Sequence, residues 1–358
     1  MSTTLAIELL ALPASAEGPD AADLIALTEL NNAICREDAG TTDLDYTAVE
    51  LLADLRDDAD TVHRVFIVRE GSRIVGACIF NHALAEPTST DFDLMVLRAD
   101  RGRGIEDALL ARAEEETRAL GRSVMQAWTL HHGTPSGPTL TPATGWGAIE
   151  QSPQTELFLA NGFVLEQVER NSAFDLTGPM DGVQRALDEA LVAAGADYRL
   201  VQWTIPTPPE LRDGYAWALS RMSTDAPSGA MEIDEEVWDA ARVTRREQKI
   251  IDSEQTLSVA AVVHEPTGQL AAFNELVVGA DRSEPTHQYN TLVLKEHRGH
   301  RLGMVVKCAN ILHWRDVAPL SPRITTFNVE ENRPMLDINE AIGFVPVAYA
   351  GAWQKKLG

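Results

Sequence analysis

The sequence predicts an α/β (α+β) protein built twice over, in two units that are each a mixed, mostly antiparallel sheet flanked by helices. Three observations carry this expectation. The 358 residues exceed one typical domain, and a hydrophobic content of 44% is ample for two cores. The order of strand-like and helix-like segments in the first half recurs in the second. The stretch FDLTGPMDG, punctuated by Pro and Gly, lies between the copies and sets the expected units at 1–178 and 179–358.

Each element follows from its local pattern. CREDAGTTDLDYTAVELL at 35–52 resembles MSTDAPSGAMEIDEEVWDAARV at 222–243; both read as a helix end, an Asp-Ala turn and a second, acidic helix. RVFIVREGSRIVGACIF at 64–80 and LSVAAVVHEPTGQLAAFNELVV at 257–278 are apolar runs broken by a turn-forming Gly, which predicts a hairpin in each half. DFDLMVLRADRGRGIEDALLARAEEETRALG at 91–121 and QYNTLVLKEHRGHRLGMVVKCANILHWRD at 288–316 run from strand through a basic glycine turn into a helix with an apolar face. ELFLANGFVLEQVERNSAFDL and MLDINEAIGFVPVAYAGAWQKKL close the halves, each a helix ending in Gly-Phe before a last strand. The turn-rich segment 131–153 reads either as a lid over the first cleft or as a disordered insertion.

Composition narrows the function classes. Thirty Lys and Arg against 54 Asp and Glu give a net charge of −24, which repels nucleic acid and anionic membranes, so neither is expected as a partner. The opening MSTTLAIELLALPASAEG has a short apolar run without a basic start, and no stretch approaches the roughly 18 apolar residues of a membrane helix. A cytoplasmic protein is expected. Cys35, Cys78 and Cys308 are scattered, which reads as buried free thiols, and the His131-His132 pair has no third ligand at usable spacing, so no metal is expected.

The stretch HRGHRLG at 297–303 sits where a strand gives way to a helix. A helix N-terminus carries unpaired N–H groups and a partial positive charge, and glycines let the backbone approach a ligand, so such a turn can hold a phosphate. Its spacing is neither a Walker loop nor a dinucleotide fingerprint. Arg298-Gly-His-Arg301-Leu-Gly303 and, in register, Arg101-Gly-Arg-Gly104-Ile-Glu106 resemble the [RQ]-x-x-G-x-[GA] pyrophosphate loop of the GNAT acyltransferases. Asn332, Met335, Ile338, Asn339 and Gly343-Phe344, and more faintly Phe158 and Gly162-Phe163, fall on that family's later segment. The chain is therefore similar to a tandem GNAT protein with a layout like that of mycothiol synthase. The resemblance implies acetyl-CoA as co-substrate. It implies that Arg298, Gly299, His300, Arg301, Leu302 and Gly303 hold the pyrophosphate, that the backbone of Leu292 and Val293 meets the pantetheine arm, and that Asn332 lies near that arm.

Departures from the pattern point to the second copy. Glu106 puts a carboxylate beside a diphosphate, at a cost on the order of 1 to 4 kcal/mol. Arg301 keeps its backbone N–H and adds a guanidinium. The 1–178 unit is thus expected to be degenerate and the 179–358 unit to hold acetyl-CoA. Family members often place a Tyr acid at the position occupied here by Asn339 and Phe158, neither of which can donate a proton as an acid. Asn339 is the residue expected beside the leaving thiolate. Asn290 stands where relatives carry a carboxylate, whereas the first half keeps Asp93. Glu275 is the candidate base, acting through water, with His287 as second choice; an exposed surface pair is the other reading of Glu275. Acidic residues around Asp225, Glu232 and Glu235 would favour a cationic acceptor. The expected function is transfer of acetyl from acetyl-CoA to a small primary amine; the alternative is a non-catalytic acyl-CoA-binding or regulatory protein. Whether the chain forms a homodimer stays open.

Overall fold

The computed structural model describes residues 5–358 apart from 57, 134, 136 and 226. It resolves into two compact units, one made of Met1–Glu169, Ser228–Asp234 and Ala348–Gly358, the other of Arg170–Pro227 and Glu235–Val347. The sequence pattern suggests one cut near residue 178, whereas the first unit also takes in two segments from the second half of the chain. None of the helices among the described residues is long and apolar enough to cross a membrane.

The N-terminal unit holds β1 (Ile7–Leu9), α1 (Ala22–Ala39), α2 (Ala48–Leu55), β2 (Thr61–Glu70), β3 (Arg73–Ala83), β4 (Ser89–Met95), α3 (Ile105–Ala119), β5 (Val124–His132), the short strands β6 (Thr139–Leu140) and β7 (Ile149–Glu150), and α4 (Pro153–Ala160). It is followed by β8 (Val164–Asp175). The strands β1, β2, β3 and β4 pair antiparallel in sequence order, and β4 pairs parallel with β5. Residues Ala348–Lys356 complete this sheet by running antiparallel along β5 from His132 to Val124. Their Trp353, fully buried, packs in the same core as Phe92, Phe158 and Phe163. That burial is the physical reason the last strand counts with the first unit: a large aromatic ring removed from water outweighs proximity in sequence. In the turn-rich segment 131–153, β6 and β7 form a two-stranded ladder; residues 134 and 136 lie outside the described set.

The C-terminal unit holds α5 (Asp181–Ala194), β9 (Tyr198–Thr204), α6 (Pro209–Ser220), α7 (Met222–Asp225), α8 (Ala240–Asp252), β10 (Thr256–His264), β11 (Gln269–Val278), β12 (Thr286–Val293), α9 (Leu302–Val317), β13 (Arg323–Val329), α10 (Arg333–Ile342) and the start of β14 (Val345–Lys356). Here β9, β10, β11 and β12 are antiparallel neighbours, and β12 pairs parallel with β13. One core lies between the sheet and α5 and α9, with Val305, Val306, Ile311 and Trp314 fully buried; the other lies between the sheet and α6 and α8, around Tyr215 and Phe273. The same sequence of elements thus occurs twice, as the internal repeat predicts.

Candidate functional site

The site in the C-terminal unit begins with an irregularity in a strand. Thr291 on β12 faces Asn274 on β11 and Gln288 faces Leu276, so Tyr289 and Asn290 together oppose the single residue Glu275. This is a β-bulge, and it reverses the alternation of side chains along the strand. Gln288 and Thr286 reach α9 residues, the first accepting a hydrogen bond from Lys307 and the second from Trp314. Beyond the bulge, Asn290 and Leu292 face α6 and α8 instead. The parallel ladder with β13 is correspondingly short: only Thr286 with Ile324 and His287 with Thr325 pair before the two strands part.

Between the parted strands and α10 lies a cleft of about 410 Å³, lined among others by Thr291, Leu292, Val293, Arg298, Gly299, Arg301, Leu302, Gly303 and Asn332. Gly299 has φ +90° and Arg301 φ +56°, and α9 starts at Leu302 with Arg301 as its N-cap. Among the described residues, the backbone amides from 299 to 303 form no hydrogen bond. Gly303 packs closely on α10: a Cβ there would come within 2.8 Å of Ile338 Cδ1, the movable tip of that side chain. The Arg298 guanidinium is tied to the carbonyls of Val293 at 3.3 Å and Asp225 at 3.0 Å, so it fastens the loop to the end of β12 and to α7. Arg301 is half exposed, with Glu189 on α5 at 3.9 Å. Asp225 also lines the cleft; its Oδ1 meets Arg221 and Lys295, while its Oδ2 is buried without a hydrogen-bond partner. A loop of open amides at a helix start, with a guanidinium beside it, is a donor set suited to a diphosphate.

The expected cofactor contacts Leu292, Val293, Arg298, Gly299, Arg301, Leu302, Gly303 and Asn332 therefore meet around one cleft. His300 is not among its lining residues: its ring lies 5.0 Å from that of Tyr198 on β9, and His297 is buried on the same side, bonded to the Tyr198 hydroxyl at 3.1 Å. Asn332 occupies the N-cap position of α10, yet its side chain makes no capping bond.

The two residues expected to do chemistry are placed differently from the expectation. Glu275 is neither exposed nor at the cleft wall. It is completely buried and accepts hydrogen bonds from Arg246 at 2.7 and 2.8 Å, from the Tyr215 hydroxyl, and from the side chain and backbone of Asn290 at 3.1 and 3.3 Å. Burial alone would raise its pKa, but Arg246 and the neutral donors outweigh that and hold the carboxylate below its ordinary value. With both oxygens engaged and no face on the cleft, this carboxylate is committed to structure: it satisfies the amide that the bulge leaves unpaired. Sequence reading missed Tyr215 and Arg246, which lie on other elements. Asn339 is also buried, accepting from Lys307 Nζ at 2.7 Å and donating to Asn328 at 2.7 Å. His287 is bonded to Thr325 at 3.2 Å.

In the N-terminal unit the same positions are built differently. The β3–β4 ladder runs without a register shift, and β4 stays paired with β5 over four positions, Ser89 to Phe92. Only about 10 Å³ remains between Leu94, Val96, Glu106 and Leu157. Phe92, Phe158, Phe163 and Trp353 fill the space with ring centroids 5.0–6.2 Å apart. Glu106 turns its carboxylate back on the loop and accepts a hydrogen bond from the Gly102 amide at 3.1 Å, so the chain supplies its own anion. A larger cavity of about 610 Å³ is lined by Asp38, Arg101, Gln151 and Gln154, in register with Asp225, Arg298, Asn332 and Met335 of the C-terminal cleft; beside it Arg98 and Arg101 are both paired with Asp38. On β4, burial pushes Asp91 up to about 7, with Asp93 and Glu86 adding to the rise; Asp93 itself is exposed to solvent, which blunts any shift from burial.

No known family model matches the chain, and no curated protein matches it. Among solved structures it is similar to a tandem GNAT protein from the clavulanic acid biosynthesis pathway, at 25% identity with a TM-score of 0.71 over 99% of both chains. A GCN5-related N-acetyltransferase from Sphaerobacter thermophilus shares 12% identity and a TM-score of 0.60 over 98% of this chain and 95% of its own. A glucosamine N-acetyltransferase region of a fungal multi-domain GH3 β-N-acetylglucosaminidase shares 12% identity and a TM-score of 0.58, over 98% of this chain and 38% of that one.

Proposed function

We propose, the chain being a tandem GNAT protein of the acyltransferase fold, that its C-terminal unit transfers acetyl from acetyl-CoA to a small primary amine in the cytoplasm. The observation that carries this reading is the contrast at the loop: the Gly299 amide and its neighbours are open beside a cleft of about 410 Å³, while in the first copy the Gly102 amide is taken by the Glu106 carboxylate. In this reading the amides of 299–303 and the Arg301 guanidinium hold the diphosphate. The edge of β12 from Thr291 to Val293, unpaired on the side facing β13, receives the pantetheine arm, with Asn332 beside it. Acetyl-CoA brings an acyl group already activated as a thioester. Asp225 Oδ2, buried and without a partner, accepts a hydrogen bond from the ligand that fills the cleft, and the acceptor amine supplies such a donor. No carboxylate of this unit is assigned as base, so the amine enters neutral and its proton leaves through water.

A second reading, a non-catalytic acyl-CoA-binding protein, draws on the way Glu275 and Asn339 are tied up by their partners. Calorimetric titration of acetyl-CoA into wild type, Arg301→Glu and Gly303→Glu tests both. One equivalent bound by wild type and lost in either variant supports the cofactor site, and no binding by wild type overturns it. Release of free thiol with a panel of primary amines then separates enzyme from binder.

A further inference from the structure

The pair His131-His132 ends β5 and lines the cavity of about 610 Å³ in the N-terminal unit. His131 is buried, and its Nε2 lies 2.8 Å from the Thr129 hydroxyl, which in turn sits 2.9 Å from Trp353 Nε1. Hydrogen-bond accounting fixes the direction of this chain. An indole N–H can only donate, so Thr129 accepts from Trp353. Among the described residues the Thr129 hydroxyl has one other partner, His131 Nε2, and its own proton goes there. Burial pushes the imidazole pKa down to about 4, so near neutrality the ring carries a single proton. With Nε2 accepting, that proton sits on Nδ1. Nδ1 has no protein partner among the described residues, so His131 offers the cavity a donor whose tautomer is set in advance by Trp353 and Thr129.

The rest of the lining says what such a donor meets. Arg98 and Arg101 are both bonded to Asp38, and Glu150 is a second carboxylate on the wall, so two positive and two negative charges line the cavity and neither arginine is left without a carboxylate. An ion therefore finds no unpaired charge waiting among the arginines. A diphosphate finds the loop taken, because Glu106 accepts from the Gly102 amide. Gln151 and Gln154 bring carboxamides, each donor and acceptor at once, to the same wall.

The C-terminal unit is built otherwise at these positions. Ser89 pairs with Val124 and Thr286 with Ile324, so Thr129 and His131 stand in register with Val329 and Glu331. An aliphatic side chain cannot pass on the hydrogen bond, and a carboxylate accepts where the imidazole donates. The two units therefore ask for ligands of different chemistry.

We propose that the cavity of the N-terminal unit is a second ligand site, for a small uncharged amide whose carbonyl oxygen accepts a hydrogen bond from His131 Nδ1 and whose N–H meets the Gln151 or Gln154 carboxamide. This stands apart from the acetyl-CoA reading of the C-terminal cleft. The amide is bound and not changed, and a cavity of about 610 Å³ is of the size that small-molecule sites have.

The test uses the full chain with isotope-labelled histidine and three probes of like size: N-benzylacetamide, which is uncharged, benzylamine, a cation near neutrality, and phenylacetate, an anion. Imidazole nitrogen resonances, assigned to His131 by their loss in His131→Phe, should show Nδ1 protonated and Nε2 bare in wild type. N-benzylacetamide should shift the Nδ1 resonance saturably and, in ligand-observed titrations, bind roughly tenfold tighter than either charged probe. Thr129→Val keeps the ring but frees its tautomer and should weaken that binding about fivefold; His131→Phe should abolish it, with thermal melts as the fold control. Should the Phe variant fold poorly, the tautomer of wild type and the Thr129→Val titration decide the matter. Saturating acetyl-CoA should leave the bound amide in place. A ring protonated on Nε2, no saturable shift from N-benzylacetamide, a charged probe that binds as well, or binding that survives His131→Phe overturns the proposal. Displacement by acetyl-CoA overturns it too, and makes the cavity a cofactor cleft; failure of acetyl-CoA to bind anywhere removes only the C-terminal reading.

Discussion

Arg301 holds φ +56° where the first copy has Gly104 at φ +80°. The left-handed region costs an L-residue roughly 1–2 kcal/mol, and such strain persists where the side chain serves a purpose. Arg301→Gly should therefore raise stability by about 1 kcal/mol, less the extra entropy of glycine, while weakening acetyl-CoA binding roughly tenfold through loss of a charge-assisted hydrogen bond. Thermal melts and calorimetry of the same sample check this, and a variant that melts no higher and binds no weaker would show that the guanidinium has no phosphate partner. Glu275 poses the opposite case, a residue whose loss is felt through what it leaves behind. Glu275→Ala strands the partly buried Arg246 and the bulge amide of Asn290 without an acceptor, which should cost about 3 kcal/mol in urea unfolding, the low end for a buried pair. Glu275→Gln should cost less, since one amide oxygen still accepts. In both, acetyl-CoA affinity should fall with the bulge; unchanged binding in a clearly destabilised Glu275→Ala would mean that the cleft does not depend on it.

The strands, the glycine turns and the helices that follow them were legible in the sequence because each is written in adjacent residues: an alternating or apolar run, then Gly and Arg, then a 3.6-residue period. Most of the cleft lining could be read from the same stretch for the same reason. The bulge could not. From Ser89 and Thr286 to Glu106 and Gly303 the copies run in step with no residue inserted, so nothing in spacing marks it, and its cause is the distant Glu275 with Arg246 and Tyr215. For that reason Glu275 looked like a free strand carboxylate. Lys307, completely buried on α9, was hidden differently: in MVVKCANIL a lysine among apolar residues passes for a side chain that reaches solvent from a half-buried helix. The sign that could have found it is its place at i+4 from Gly303, on the side of the helix that the glycine marks as tightly packed. The position of the last strand beside β5 was equally beyond local pattern, since antiparallel pairing with residues about 220 positions away leaves no periodic trace.

At the scale of the whole chain, duplication has left two units with the same order of elements and opposite endowments. The N-terminal unit keeps Asp91 and Asp93 on β4 but has no bulge, holds β4 to β5 two residues further before they part, and has the Gly102 amide taken by Glu106. The C-terminal unit has the bulge, the earlier parting and the open loop, and carries Asn290 where the other has Asp93. Closure at the first unit's loop is therefore redundant: Glu106 occupies the anion position, four parallel pairs hold β4 to β5, and Phe92, Phe158, Phe163 and Trp353 pack together beside them. A redundant closure predicts how a single reversal fares. Glu106→Gly frees the Gly102 amide and removes one negative charge, yet leaves the ladder and the aromatic cluster as they were. Wild type and Glu106→Gly should both bind one equivalent of acetyl-CoA per chain, with indistinguishable affinity. Emptying the aromatic cluster at the same time, with Phe158→Ala, should cost about 3–5 kcal/mol of stability before it opens any site. A second equivalent bound by Glu106→Gly alone would mean that the carboxylate is the sole lock, and that the first unit remains a cofactor site held shut by one side chain.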